Sequence, residues 1–201
     1  MPMVFSLLPA SHSPLGSLPR AAQALIVGLR GWVAGWRATA RGDAGAEAQW
    51  ESTWNTFAAS LGPSQGRVAT GTLAAFVAAL AVGARRPLVV RPACCARLSS
   101  DERALLALVQ CAALRRSAAE CRARAIWLVR GEHAQPLIIH ASDLGQALTA
   151  TGLEIGATAA LGPPFGTPLE APLEAPLEAP LEACQDEAVP LVVPPLSEAG
   201  D

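Results

Sequence analysis

Seventeen consecutive residues, Val68 to Ala84, carry no charge, with Arg67 before them and Arg85 and Arg86 after. A helix over this run has no polar face to offer water, so it must be enclosed by other helices or by lipid. Seventeen residues sit at the short edge of what crosses a bilayer, and Thr70, Gly71, Thr72 and several alanines dilute the run further. The favoured reading is a central core helix surrounded by others, with a membrane contact disfavoured.

The composition suits such a core. Apolar residues make up 51% of the 201, but only 4% are aromatic and alanine is abundant. Small side chains favour close helix packing, alanine is the strongest helix former, and this length is that of one domain. Every cationic side chain is arginine, as a coding bias toward alanine and arginine would give.

Helix signals recur along the chain. After the uncharged, proline-broken leader 1–18, residues Ala22, Leu25, Ile26, Leu29, Trp32, Val33 and Trp36 follow helical spacing, with Arg30, Arg37 and Arg41 assigned to other faces. Gly42 ends this helix. Trp50, Trp54, Phe57 and Leu61 mark a second one, which stops at Gly62-Pro63. The uncharged run forms the third, from about Pro63 to Ala84. Leu88–Arg91, between Pro87 and Pro92, reads as a short extended segment. Ser99 followed by Glu102 matches a capping box for a fourth helix, and Ser117 with Glu120 repeats the spacing for a fifth. Leu137–His140 is ambiguous between a strand and a helical turn, and Ser142-Asp143 can cap a last helix ending near Thr151. Beyond Gly162 comes PLEA four times in succession, from Pro168 to Ala183. Proline every fourth residue forbids an α-helix there. The apolar stretch Ala188–Leu196 that follows could dock as a short peptide.

The fold expectation is an all-α bundle of five or six short helices with one short extended segment. A disordered leader (1–18) precedes the basic helical domain (19–155), and an acidic, proline-rich low-complexity tail (156–201) follows it. All fifteen arginines lie between Arg20 and Arg130, accompanied by six acids, whereas from Gly131 onward there are eleven acids and no arginine. Such asymmetry suits either a polyanion partner for the body or a tail that folds back to screen it.

Chemistry-bearing patterns are few. Trp32/Trp36 and Trp50/Trp54 form two i, i+4 pairs on consecutive helices, where they supply core packing or line a partner groove. Cys94 and Cys95 are adjacent, flanked by Arg91 and Arg97 and just before a helix N-terminus, an environment that favours thiolate and hence a reactive or redox-sensing pair. With Cys111 and Cys121 they lack the knuckle spacing of a thiolate metal site, so neither metal nor cofactor is expected. Without a secretory signal, reduced thiols in a cytoplasm are the default. Asp101-Glu102 reads as a helix N-terminus rather than an acid and base. No phosphate loop, zincin motif or nucleophile elbow occurs. Arg103, Arg115, Arg116, Arg122 and Arg124 lie on two successive helices, the footprint of a nucleic-acid-binding helix pair, although the turn between them lacks the usual glycine. The leading expectation is a non-enzymatic interaction or regulatory protein that binds a partner protein. The alternative is a nucleic-acid-binding regulator screened by its own tail, and a thiol redox or metal protein comes third.

Overall fold

The computed structural model describes residues 14–156. The first thirteen residues of the leader, the PLEA repeats, Cys184 and the stretch Ala188–Leu196 lie outside the described residues. The protein is an all-α bundle: α1 (Arg20–Arg41), α2 (Ala46–Leu61), α3 (Pro63–Gly83), α4 (Ser100–Ala113), α5 (Ala118–Leu128) and α6 (Ala134–Thr149), with 3₁₀ turns at Leu15–Ser17 and Gly131–His133. Packing runs from α1 to α2, α3, α6 and α4 in turn and closes weakly onto α1, while α5 lies outside against α4 and α6.

Local sequence sets most of the boundaries. Gly42 takes the left-handed conformation (φ 73°) and bonds back to the carbonyls of Ala38 and Thr39. Gly62 sits at φ 84° and ψ 159°, a region open only to glycine, so Pro63 starts α3 at once. The α1–α2 seam is close because α1 places Gly28 under the ring of Phe57 and Gly35 under the indole of Trp50. Residues 14–18, expected in the leader, belong to the folded unit: Leu18 is buried and Leu15 N–H donates to the Ala96 carbonyl.

Three expectations need correction. The uncharged helix α3 is not central. Only seven of its 21 residues are buried (Gly66, Ala69, Leu73, Phe76, Val77, Leu80 and Gly83), while Val68 and Val82 are 49% and 61% exposed. The enclosed helix is α4, with eleven of its 14 residues buried; its acids stand in the first turn, where other groups of the protein neutralise them. Arg30 does not lie on an outer face. It follows Ile26 by four and precedes Val33 by three, which puts it on the buried stripe of α1 at 2% exposure. Finally, α6 begins at Ala134 rather than at Ser142-Asp143. Pro136 stands in its first turn, where a missing N–H costs nothing, and Asp143 is exposed on the outer side of the helix.

The α4–α5 corner contains Arg115 at φ 49°, with Arg116 N–H returning to the Cys111 carbonyl. This is the left-handed stop that glycine usually occupies, and a side chain there costs about 1 kcal/mol. Arg115→Gly is expected to stabilise the protein by about 1 kcal/mol in urea unfolding.

Candidate interaction surfaces

The adjacent cysteines sit on a connector that two buried acids hold in place. Glu102 closes the capping box: its backbone N–H donates to Ser99 Oγ (3.0 Å), and its carboxylate accepts from Ser99 N–H (2.8 Å). The same carboxylate meets Arg30 in a two-pronged pair (2.7 and 3.0 Å) and accepts from Arg91 N–H (3.1 Å). Arg30 in turn donates to the carbonyls of Cys95 (2.5 Å) and Arg97 (2.8 Å). Asp101 accepts two bonds from Arg86 (2.6 and 2.9 Å) and one from Val89 N–H (2.7 Å), and the Arg86 guanidinium also lies over the Trp127 ring, 4.8 Å from its centre. These carboxylates are structural anchors. Besides Arg30 and Arg86, they accept from the backbone N–H groups of Val89, Arg91 and Ser99 and so fix the connector.

Cys94 is exposed and Cys95 half-buried on that connector. Cys111 and Cys121 are buried, one on α4 and one on α5, with their sulfurs 2.6 Å apart as free thiols. Cys111 lies nine residues along α4 from Glu102, roughly 14 Å of helix rise. The four cysteines therefore form two separate pairs. Among the described residues no group of three or more His, Cys, Asp and Glu side chains could hold a metal ion.

The tryptophans occupy the α1–α2 seam. Trp32 and Trp50 pack with ring centres 5.7 Å apart and planes tilted by 34°, and Trp32 and Trp36 also pack against the core. Trp54 is half-buried on α2. The Trp50 indole N–H is buried without a partner and lies against Gly35, where even a Cβ would not fit. Trp32 and Trp50 thus meet across the seam. A cleft of about 350 Å³ between α1 and α2 is bordered by Arg20, Gln23, Thr56 and Ser60. Thr56 and Ser60 hydroxyls bond to carbonyls of their own helix, and Gln23 donates to Leu18.

The arginines of the helix pair divide. Arg115, Arg116 and Arg122 are exposed around the α4–α5 corner, Arg124 pairs with Glu120 at 2.9 Å, and Arg103 is half-buried in the first turn of α4.

The surface that sequence reasoning did not find is the outer face of α3. At 100° per residue, Arg67, Val68, Gly71, Ala74, Ala75, Ala78 and Val82 fall on one side, opposite the buried set. Beyond Arg67 this side is uncharged and made of small residues, Gly71 among them. Gly71 is exceptional among the glycines within the described α-helices. At each of the others an added Cβ would come within 3.0 Å of a neighbouring side chain or backbone, whereas at Gly71 nothing lies within 4 Å. The only signal in the sequence is the lack of charge between Arg67 and the end of the helix.

Burial pushes the Cys111 thiol up to about 12, with the hydrogen bond to Cys121 adding to it. The unfolded thiol ionises near 9.0, so this contribution to stability is complete below that pH and is lost as pH rises toward 12. Urea unfolding between pH 8 and 11 should show stability falling with pH, and Cys111→Ala should flatten that slope. Comparison of the chain with family models, curated proteins and solved structures gives no match.

Proposed function

We propose that this chain is a non-enzymatic interaction protein whose helical body binds a partner protein through the outer face of α3. The observation that carries the reading is Gly71. Glycine inside a helix costs about 1 kcal/mol relative to alanine, and elsewhere in the bundle a close neighbour accounts for each one. At Gly71 this chain has no such neighbour, so a close approach from outside it is the remaining physical reason. The surrounding face supports the same reading, since Val68 and Val82 expose apolar surface along an uncharged line that a second protein can cover. The polar clusters support it indirectly: the buried acids and arginines of the α4 entrance are committed to backbone groups, and Trp32 and Trp50 to the helix seam.

A second reading, nucleic-acid binding at the α4–α5 corner, is favoured by Arg115, which holds a cationic side chain at φ 49° where glycine would fit without strain. Its signature is steeply salt-dependent binding that weakens in Arg115→Gly and Arg116→Ala together.

Gly71→Ala is expected to raise stability by about 1 kcal/mol in urea, because nothing in the fold opposes the methyl group. To test the interaction itself, a photo-crosslinking residue is placed at Ala75 and, as a control, at Ile139, an exposed apolar position on α6. In extracts of the source cells, discrete protein adducts are expected at position 75 only, and Gly71→Leu should remove them while the melting temperature is retained. Equal labelling at both positions, or capture by lipid vesicles in place of protein, would overturn the reading.

A further inference from the structure

Two buried thiols that play no part in the proposed interaction face each other where α5 packs on α4. Cys111 lies near the end of α4 and Cys121 near the start of α5, and both are buried. Their sulfurs are 2.6 Å apart, closer than the ~3.5–4.0 Å at which even carbon atoms pack. Cysteines acting as small apolar fillers have no cause to converge so tightly. Among the described residues no third ligand joins them to make a metal site, so the chemistry open to each sulfur is with the other.

A guanidinium stands beside the pair. Arg124 follows Cys121 by three residues, on the same side of α5. Its Nη2 donates to Glu120 (2.9 Å), while its Nε and Nη1 are buried with no hydrogen-bond partner. Spare cationic donors next to a thiol favour thiolate, the form that reacts with oxidants.

We infer that Cys111 and Cys121 are a reversible dithiol/disulfide couple, oxidised by hydrogen peroxide, whose disulfide ties α5 to α4. One sulfur attacks a peroxide oxygen, the O–O bond breaks and water leaves, giving a sulfenic acid. The other sulfur then attacks the first, the S–O bond breaks, and a second water leaves as the S–S bond forms. The two thiols give up two protons and two electrons, and the peroxide takes up both.

Burial makes the first step slow, because it pushes the Cys111 thiol up and keeps both sulfurs from solvent. Access comes by local opening of α5, which buries only Cys121, Ala125 and Leu128 and follows an exposed stretch from Leu114 to Ala119. The second step is fast, since the partner sulfur is already in contact and closes the bond before another peroxide arrives. The product is therefore a disulfide and not a sulfinic acid. It closes a ring over residues 111–121 that contains the left-handed Arg115 corner, and it fixes the sparsely buried α5 onto the enclosed α4.

The test uses the full-length chain, reduced and then exposed to hydrogen peroxide. Remaining thiols are alkylated in denaturant before cleavage after arginine. Residues 104–115 and 117–122 are expected as one linked species, released by reductant. The oxidised chain should melt about 5 °C or more above the reduced one, as closing such a ring stabilises a domain of this length. Cys121→Ala should lose both the linked species and the shift. The wild-type chain alone is decisive. Cys111 and Cys121 still alkylated after peroxide, either of them linked to Cys94, Cys95, Cys184 or a second chain, or sulfinic acid in place of the disulfide would each overturn the inference. A melting temperature unmoved by oxidation would do the same. None of these results alters the partner reading, which is measured on α3 with a different probe.

Discussion

A fully buried ion pair, Arg30 with Glu102, ties α1 to the entrance of α4. The two residues are 72 positions apart and both side chains are closed to solvent. Two charges taken out of water destabilise a protein unless their remaining donors and acceptors are satisfied. Here they are: Glu102 accepts from Arg91 and Ser99 N–H, and Arg30 donates to the carbonyls of Cys95 and Arg97. The pair acts as a connector between α1 and the entrance of α4, and it solves the hydrogen-bonding problem of the irregular backbone between them. A hydrophobic replacement of similar volume, often harmless for buried ion pairs, would leave four backbone groups without partners.

That commitment shapes where function can lie. In sequence, Asp101 and Glu102, close to Cys94, Cys95 and several arginines, read as the acidic first turn of a helix. In the folded protein they form a joint. With α4 enclosed and its charges neutralised internally, α3 is displaced to the perimeter and shows one uncharged side to solvent. That uncharged side of α3 is the surface proposed for a partner.

Signals that act within one turn were legible in advance. The Ser99–Glu102 capping box, the Gly42 and Gly62-Pro63 stops and the all-α architecture need only neighbouring residues to specify them. Arg30 was not legible because its partner is remote in sequence and a lone arginine on an amphipathic helix is ordinarily solvated. The exposure of α3 was hidden for a different reason. A helix that is apolar on every side carries no periodicity, so nothing in its own residues says which side faces the core. The start of α6 was missed because Pro136 reads as a breaker unless it is known to stand in a first turn.

The most direct measurement is a double-mutant cycle across Arg30 and Glu102, with Arg30→Met, Glu102→Gln and the double variant unfolded in urea. If the pair is the joint described above, each single change costs about 3 kcal/mol or more and the two are coupled by about 2 kcal/mol. Additive, small effects, with coupling near zero, would contradict it.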